Sequence, residues 1–176
     1  MFDTRPFALY NERDNHFWEG TAMNIGIVVF SQTGHTLSVA ERLAKALKAK
    51  GHDATIARVE PVETKPNSSA PIKLKSAPDV GAFDAVIFAS PVQGFTLARA
   101  MQTYLSGVSN LAGKKVSCFV TQHLKKAWMG GNRSLRKMRA ACQAKSANVT
   151  ASGIVHWSSD DRESQIEELI RKLSAL

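Results

Sequence analysis

Five short apolar runs, four of them leading into a stretch with helical spacing, constrain this chain more than any other feature of its sequence. "NIGIVVF" (Asn24–Phe30) is a continuous run rich in β-branched residues, the pattern of a strand buried on both faces. After it Leu37, Ala40, Leu43, Ala44 and Leu47 recur at helical spacing as far as Gly51, a residue suited to ending a helix. Further strands are expected at "DATIARV", "FDAVIFAS", "KKVSCFVTQ" and "NVTASGIVHW". Helices are expected at "TLARAMQTYLSGV", "NRSLRKMRAACQAKSA" and "DRESQIEELIRKLSAL". Strands alternating with helices predict a parallel sheet covered on both faces, a doubly wound α/β fold. The stretch from Glu60 to Gly81 holds Pro61, Pro66, Pro71 and Pro78 and reads as a long connection with room for one short helical turn.

The 176 residues suit one domain with a sizeable core, and no internal repeat or second domain is visible. Residues 1–22 follow neither period and read as a loosely ordered leader ahead of a domain spanning 23–176. No run approaches the ~18 apolar residues of a membrane helix, and no basic start leads into an apolar stretch. Cys118 and Cys142 lie far apart within regular elements, which favours buried thiols over a disulfide. No Cys or His spacing suggests a metal site. A cytoplasmic protein is the expectation, without membrane association.

The net charge is +8 and the pI near 9.7. Residues 1–22 hold two basic and four acidic side chains, which leaves +10 for the rest. Much of that excess sits between Lys125 and Arg139, either as a solvated helix face or as a docking surface for an anionic ligand or acidic protein.

In such folds ligands bind beyond the carboxyl ends of the strands, where the strand order reverses. After the first strand, "SQTGHT" sets Ser31, Thr33 and Thr36 around Gly34 at the start of a helix. A helix amino terminus offers unpaired N–H groups and the positive end of the dipole, and glycine lets the backbone approach a ligand. The loop lacks the lysine of a nucleoside-triphosphate loop and does not read GxGxxG. It suits one terminal phosphate monoester. The bland alternative is a hydroxyl cap with no ligand.

On these residues the chain resembles the flavodoxin family, whose phosphate loop is written [ST]-x-T-G-x-T. "FDAVIFASPVQGF" is similar to the segment that follows the family's third strand. The resemblance extends from Asn24 to the end of the chain. It implies a five-stranded parallel sheet of order 2-1-3-4-5 and flavin mononucleotide (FMN) as cofactor. By resemblance, Ser31, Gln32, Thr33, Gly34, His35 and Thr36 hold the phosphate. Ser90, Pro91, Val92, Gln93, Gly94 and Phe95 then border the flavin ring, with Gln93 and Gly94 at its redox-active edge. Thr121, Gln122, His123, Trp128, Gly130 and Gly131 cover the pyrimidine side, Gln122 or His123 bonding ring atoms and the two glycines allowing close approach.

Three departures from the family pattern stand out. No tyrosine is placed to stack on the ring, so Phe95 and Trp128 are the substitutes. The loop "TQHLKKAWMGGN" is basic where electron-carrying members are acidic, and the body as a whole is basic. Lys125 and Lys126 would favour a reduced, anionic flavin. His35 either donates to phosphate or points to solvent, the second being preferred; His123 and His156 lie at strand ends that either could turn toward the site.

The leading reading is an FMN-binding redox protein that carries electrons or reduces a small acceptor, as a carrier or as an FMN-dependent oxidoreductase. Its partner is an anionic electron donor or acceptor protein, or a nicotinamide donor, and the protein is a monomer or homodimer. A flavin-free binding or regulatory module is the alternative, with nucleic-acid binding through the basic helix third.

Overall fold

A computed structural model describes residues 21–63 and 69–176. The expected leader at 1–22 therefore lies almost wholly outside the described residues. The elements in chain order are β1 (Asn24–Val29), α1 (His35–Ala49), β2 (Asp53–Arg58), β3 (Glu60–Pro61), β4 (Leu74–Ser76) and β5 (Ala85–Gln93). They continue with β6 (Thr96–Leu97), α2 (Arg99–Gly107), β7 (Lys115–Gln122), α3 (Gly131–Gln143), β8 (Asn148–His156) and α4 (Arg162–Leu173).

The main sheet runs β2-β1-β5-β7-β8 with every pair parallel, which is the expected 2-1-3-4-5 order of the five long strands. Its strands are buried on both faces because successive side chains feed two cores. Ile25, Ile27 and Val29 of β1 join Leu43 and Leu47 of α1, Phe119, and Leu169 and Leu173 of α4. Val28 joins Phe88, Met101 and Tyr104 of α2, and Met138 of α3 on the other face. Gly26 is small for a packing reason: the ring of Phe83 occupies the place of its side chain. Strand order reverses between β1 and β5, so the loops after β1, β5 and β7 converge at one end of the sheet.

Two details differ from expectation. The long connection after β2 contains a small antiparallel ladder, β3 with β4, and no helical turn among its described residues. The hydroxyl of Tyr104 clasps this connection by donating to the Pro78 carbonyl at 2.6 Å. The segment Ser90–Phe95, expected as a loop, is instead the end of β5 and a hairpin. Val92 and Gln93 pair with Leu97 and Thr96, leaving Gly94 and Phe95 as a two-residue turn with φ of 55° and 60°. Two positive φ angles make the type I′ geometry that matches strand twist.

Cys118 and Cys142 are free buried thiols, as expected. The hydrogen bond that the Cys118 thiol makes to Cys142, and after it burial, holds that thiol well above its ordinary pKa. Among the described residues, no helix is long and apolar enough to cross a membrane, and no group of three or more His, Cys, Asp or Glu is placed to hold a metal.

Candidate functional site

The start of α1 is built to receive an anion. Gly34 takes φ 89°, and the space where a side chain would stand is open to 4 Å. Leu37 N–H donates to Ser31 Oγ at 3.2 Å and Ser38 N–H to the Gly34 carbonyl at 2.9 Å. The N–H groups of Thr33, Gly34, His35 and Thr36 have no acceptor among the described residues, and no acidic side chain stands in the first turn. Unpaired amides around a left-handed glycine at a helix start form a nest for negative charge. Ser31 keeps its hydroxyl hydrogen for a ligand, and Thr33 is exposed. Thr36 is different. Its buried hydroxyl lies 2.7 Å from that of Thr121, so it ties α1 to the end of β7 and can donate to a ligand only when it accepts from Thr121.

Beside the nest lies a cavity of about 240 Å³, lined by Gln32, Thr33 and His35 from the first loop, Pro91 to Gln93 from β5, Thr121 to His123 from β7, and Trp157. Gln93 Nε2 donates to Gln32 Oε1 at 2.6 Å and bridges the first two of these segments. Three loops named from sequence thus meet around one space.

Trp157, just past β8, lines the cavity from outside the loops after the first, third and fourth long strands. His35 stacks on its indole at 3.9 Å between centroids and 13° between planes. The Arg162 guanidinium carbon lies 4.8 Å from the centre of the Trp157 ring, and its Nη1 donates to the Trp157 carbonyl at 3.0 Å. His35 therefore does not point freely into solvent; it is shelved on an aromatic ring beside the nest. The only signal was a tryptophan closing a predicted strand.

Other expected residues take structural positions. Ser90 is wholly buried and its hydroxyl donates to the Pro91 carbonyl, leaving that hydroxyl unavailable to a ligand. Gln122 Nε2 donates to the carbonyls of Leu124 (2.8 Å) and Lys126 (2.7 Å), so this side chain shapes the following loop rather than facing a ring. His156 is likewise engaged, its Nδ1 lying 2.9 Å from the Leu124 carbonyl. Where Gly130 would carry a side chain, Val92 Cγ1 (2.7 Å) and the Phe95 backbone (2.9 Å) already stand. At Gly131 the space is taken by Gln122 Oε1 at 2.6 Å. Both glycines admit the protein itself rather than a ligand. Phe95 and Trp128 are 60% and 75% exposed and line no part of the cavity.

Three buried polar atoms among the described residues lack a partner: Thr96 Oγ1, Gln122 Oε1 and Ser134 Oγ. They sit in the hairpin, at the end of β7 and in the first turns of α3. Of the three residues only Gln122 lines the cavity.

No protein-family model matches the chain, and no curated protein matches it. Solved structures do. Oxidised flavodoxin 2 from Bacillus cereus aligns with a TM-score of 0.63 at 18% identity, over 86% of this chain and 97% of that one. A WrbA-like flavodoxin from Agrobacterium tumefaciens gives 0.63 at 16% identity, over 88% and 94%. A flavodoxin from Pseudomonas aeruginosa gives 0.63 at 14% identity, over 87% and 97%. The sheet order, the placement of the helices and these alignments agree: the chain has the flavodoxin-like fold.

Proposed function

We propose that this protein binds FMN and serves as a flavin-dependent redox protein. The observation that carries this reading is the empty-handed amide nest at Thr33–Thr36, opening beside a cavity walled by three converging loops. Its chemistry matches a phosphate monoester: amide donors, a free hydroxyl at Thr33, the His35 ring alongside and no competing carboxylate in the first turn. The solved structures of similar fold include proteins named flavodoxins, which supports a flavin over another phosphorylated ligand.

In this reading Ser31 to Thr36 hold the phosphate, and Pro91 to Gly94 with Thr121 to His123 border the ring. Bound FMN supplies one- and two-electron transfer, and the chain supplies position and electrostatics. Gly94 turns at positive φ with open space around it, so its peptide is free to reorient at low cost. Lys125 and Lys126, both exposed on the neighbouring loop, favour negative charge on the ligand. Absorbance of the purified protein, repeated after addition of FMN and removal of the excess, tests the reading. Retained visible flavin bands support it; a colourless protein after both steps contradicts it.

A further inference from the structure

The positive charge of this chain is not spread evenly. From Ala85 to Ser159 there is no Asp or Glu, and ten Lys or Arg. This one span carries +10, the remainder being slightly acidic, and it supplies two of the three loops around the cavity.

Three of these charges lie in the first half of α3. Arg133, Arg136 and Lys137 are exposed, and none forms an ion pair or hydrogen bond among the described residues. Two carboxylates between β8 and the first turn of α4 pair with other cations: Asp160 with Lys125 at 3.9 Å, Glu163 with Arg42 at 2.8 Å. Arg133 and Lys137 stand four residues apart on one face, like charges that repel, and Arg133 sits at the helix end where the dipole disfavours a cation. Helix stability does not account for this arrangement.

Two large apolar side chains stand on the same corner. Phe95 is a bulky residue at φ 60° and Trp128 is largely exposed. Gly130 packs against both Phe95 and Val92, and Val92 lines the cavity, so hairpin, loop and helix start form one continuous rim. A left-handed non-glycine residue held with its ring in water is a strained feature of the kind found where surfaces work. Exposed aromatic anchors beside unpaired arginine and lysine match the make-up of protein interfaces.

We propose that this rim is a docking surface for an acidic protein, with Phe95 and Trp128 as apolar anchors and Arg133, Arg136 and Lys137 as its electrostatic guide. Its placement at the mouth of a redox site rests on the FMN reading; the docking itself does not. A protein is favoured over nucleic acid because the aromatics cluster at one corner rather than alternating along a basic groove that would track a strand.

The test titrates the full chain, with and without FMN, against a small acidic [2Fe–2S] ferredoxin as probe and a short oligothymidylate as competitor. Association should weaken by about tenfold or more as ionic strength rises from about 0.02 to about 0.2 M. NMR shifts should fall on Phe95, Trp128 and the first turns of α3. Arg133→Glu with Lys137→Glu should abolish binding, and Arg133→Gln with Lys137→Gln should weaken it about tenfold, both leaving the circular-dichroism spectrum and the FMN titration unchanged. No binding of the ferredoxin, a footprint elsewhere, or tighter binding of the oligothymidylate overturns the proposal. FMN binding without ferredoxin binding leaves the redox reading standing alone. Ferredoxin binding at this rim without FMN binding supports the docking surface and removes the redox reading.

Discussion

The hydroxyls of Thr36, in the first turn of α1, and Thr121, at the end of β7, lie 2.7 Å apart in buried surroundings. This contact ties the amide nest at the start of α1 to the third loop of the site. Thr36→Val leaves the Thr121 hydroxyl buried and unpartnered, at a cost of about 1–3 kcal/mol in unfolding free energy. The double variant Thr36→Val, Thr121→Val should recover part of that loss. Denaturant unfolding of the three variants checks it, and strictly additive single effects would contradict the coupling.

Trp157 is a platform. Replacing it with Leu removes the His35 stack and the Arg162 contact, together about 1–2 kcal/mol. Because His35 then loses its shelf beside the nest, FMN affinity should fall several-fold as well. Unchanged affinity in a destabilised Trp157→Leu protein would assign the stack to folding alone.

Two glycines at positive φ should respond differently to alanine. Gly94 (φ 55°) has open space around it, so Gly94→Ala meets only the left-handed backbone penalty of about 1–2 kcal/mol. Gly130 (φ 116°) also has Val92 and the Phe95 backbone where the methyl would go, adding about 1–3 kcal/mol of overpacking. Thermal unfolding orders the pair; equal losses would show that the α3–hairpin contact is slack.

Tyr104 gives the fold a pH signature. Burial, and after it the charge of Asp79 and the nearby Cys142, raise its phenol pKa far above the ordinary 10.0. The folded state therefore keeps the neutral phenol, and its contribution is complete below the unfolded value and lost as pH climbs above it. Unfolding free energy should decline from about pH 10 upward. Tyr104→Phe should cost about 1 kcal/mol near neutral pH through the lost bond to Pro78 and should flatten that decline. An unaltered slope would place the alkaline transition elsewhere.

The sheet was legible because β1, β5 and β7 are nearly uninterrupted apolar runs, which only a strand covered on both faces requires. The nest was legible because Gly34 and the hydroxyls around it stand at a strand–helix seam, and the structure shows no side-chain cap at Gly34 that would use up the amides. The hairpin was not: Pro91 argues against a central strand, and Gly-Phe is not the Asn-Gly or Asp-Gly pair that announces a type I′ turn. Gly130 and Gly131 were legible as close approaches, but sequence cannot say what approaches, and the answer is the chain's own hairpin and Gln122. Trp157 was missed because the pairing of β8 with β7 carries it to the cavity from a strand whose loop was not considered.

The most direct test of the central claim compares the affinities of FMN and riboflavin, which differ only in the phosphate. FMN should bind with a dissociation constant below about 1 µM and riboflavin more weakly by about a hundredfold or more, near 3 kcal/mol for an anion held by several amides. Equal affinities, or no binding of either, would contradict the assignment of Ser31 to Thr36 as the phosphate site.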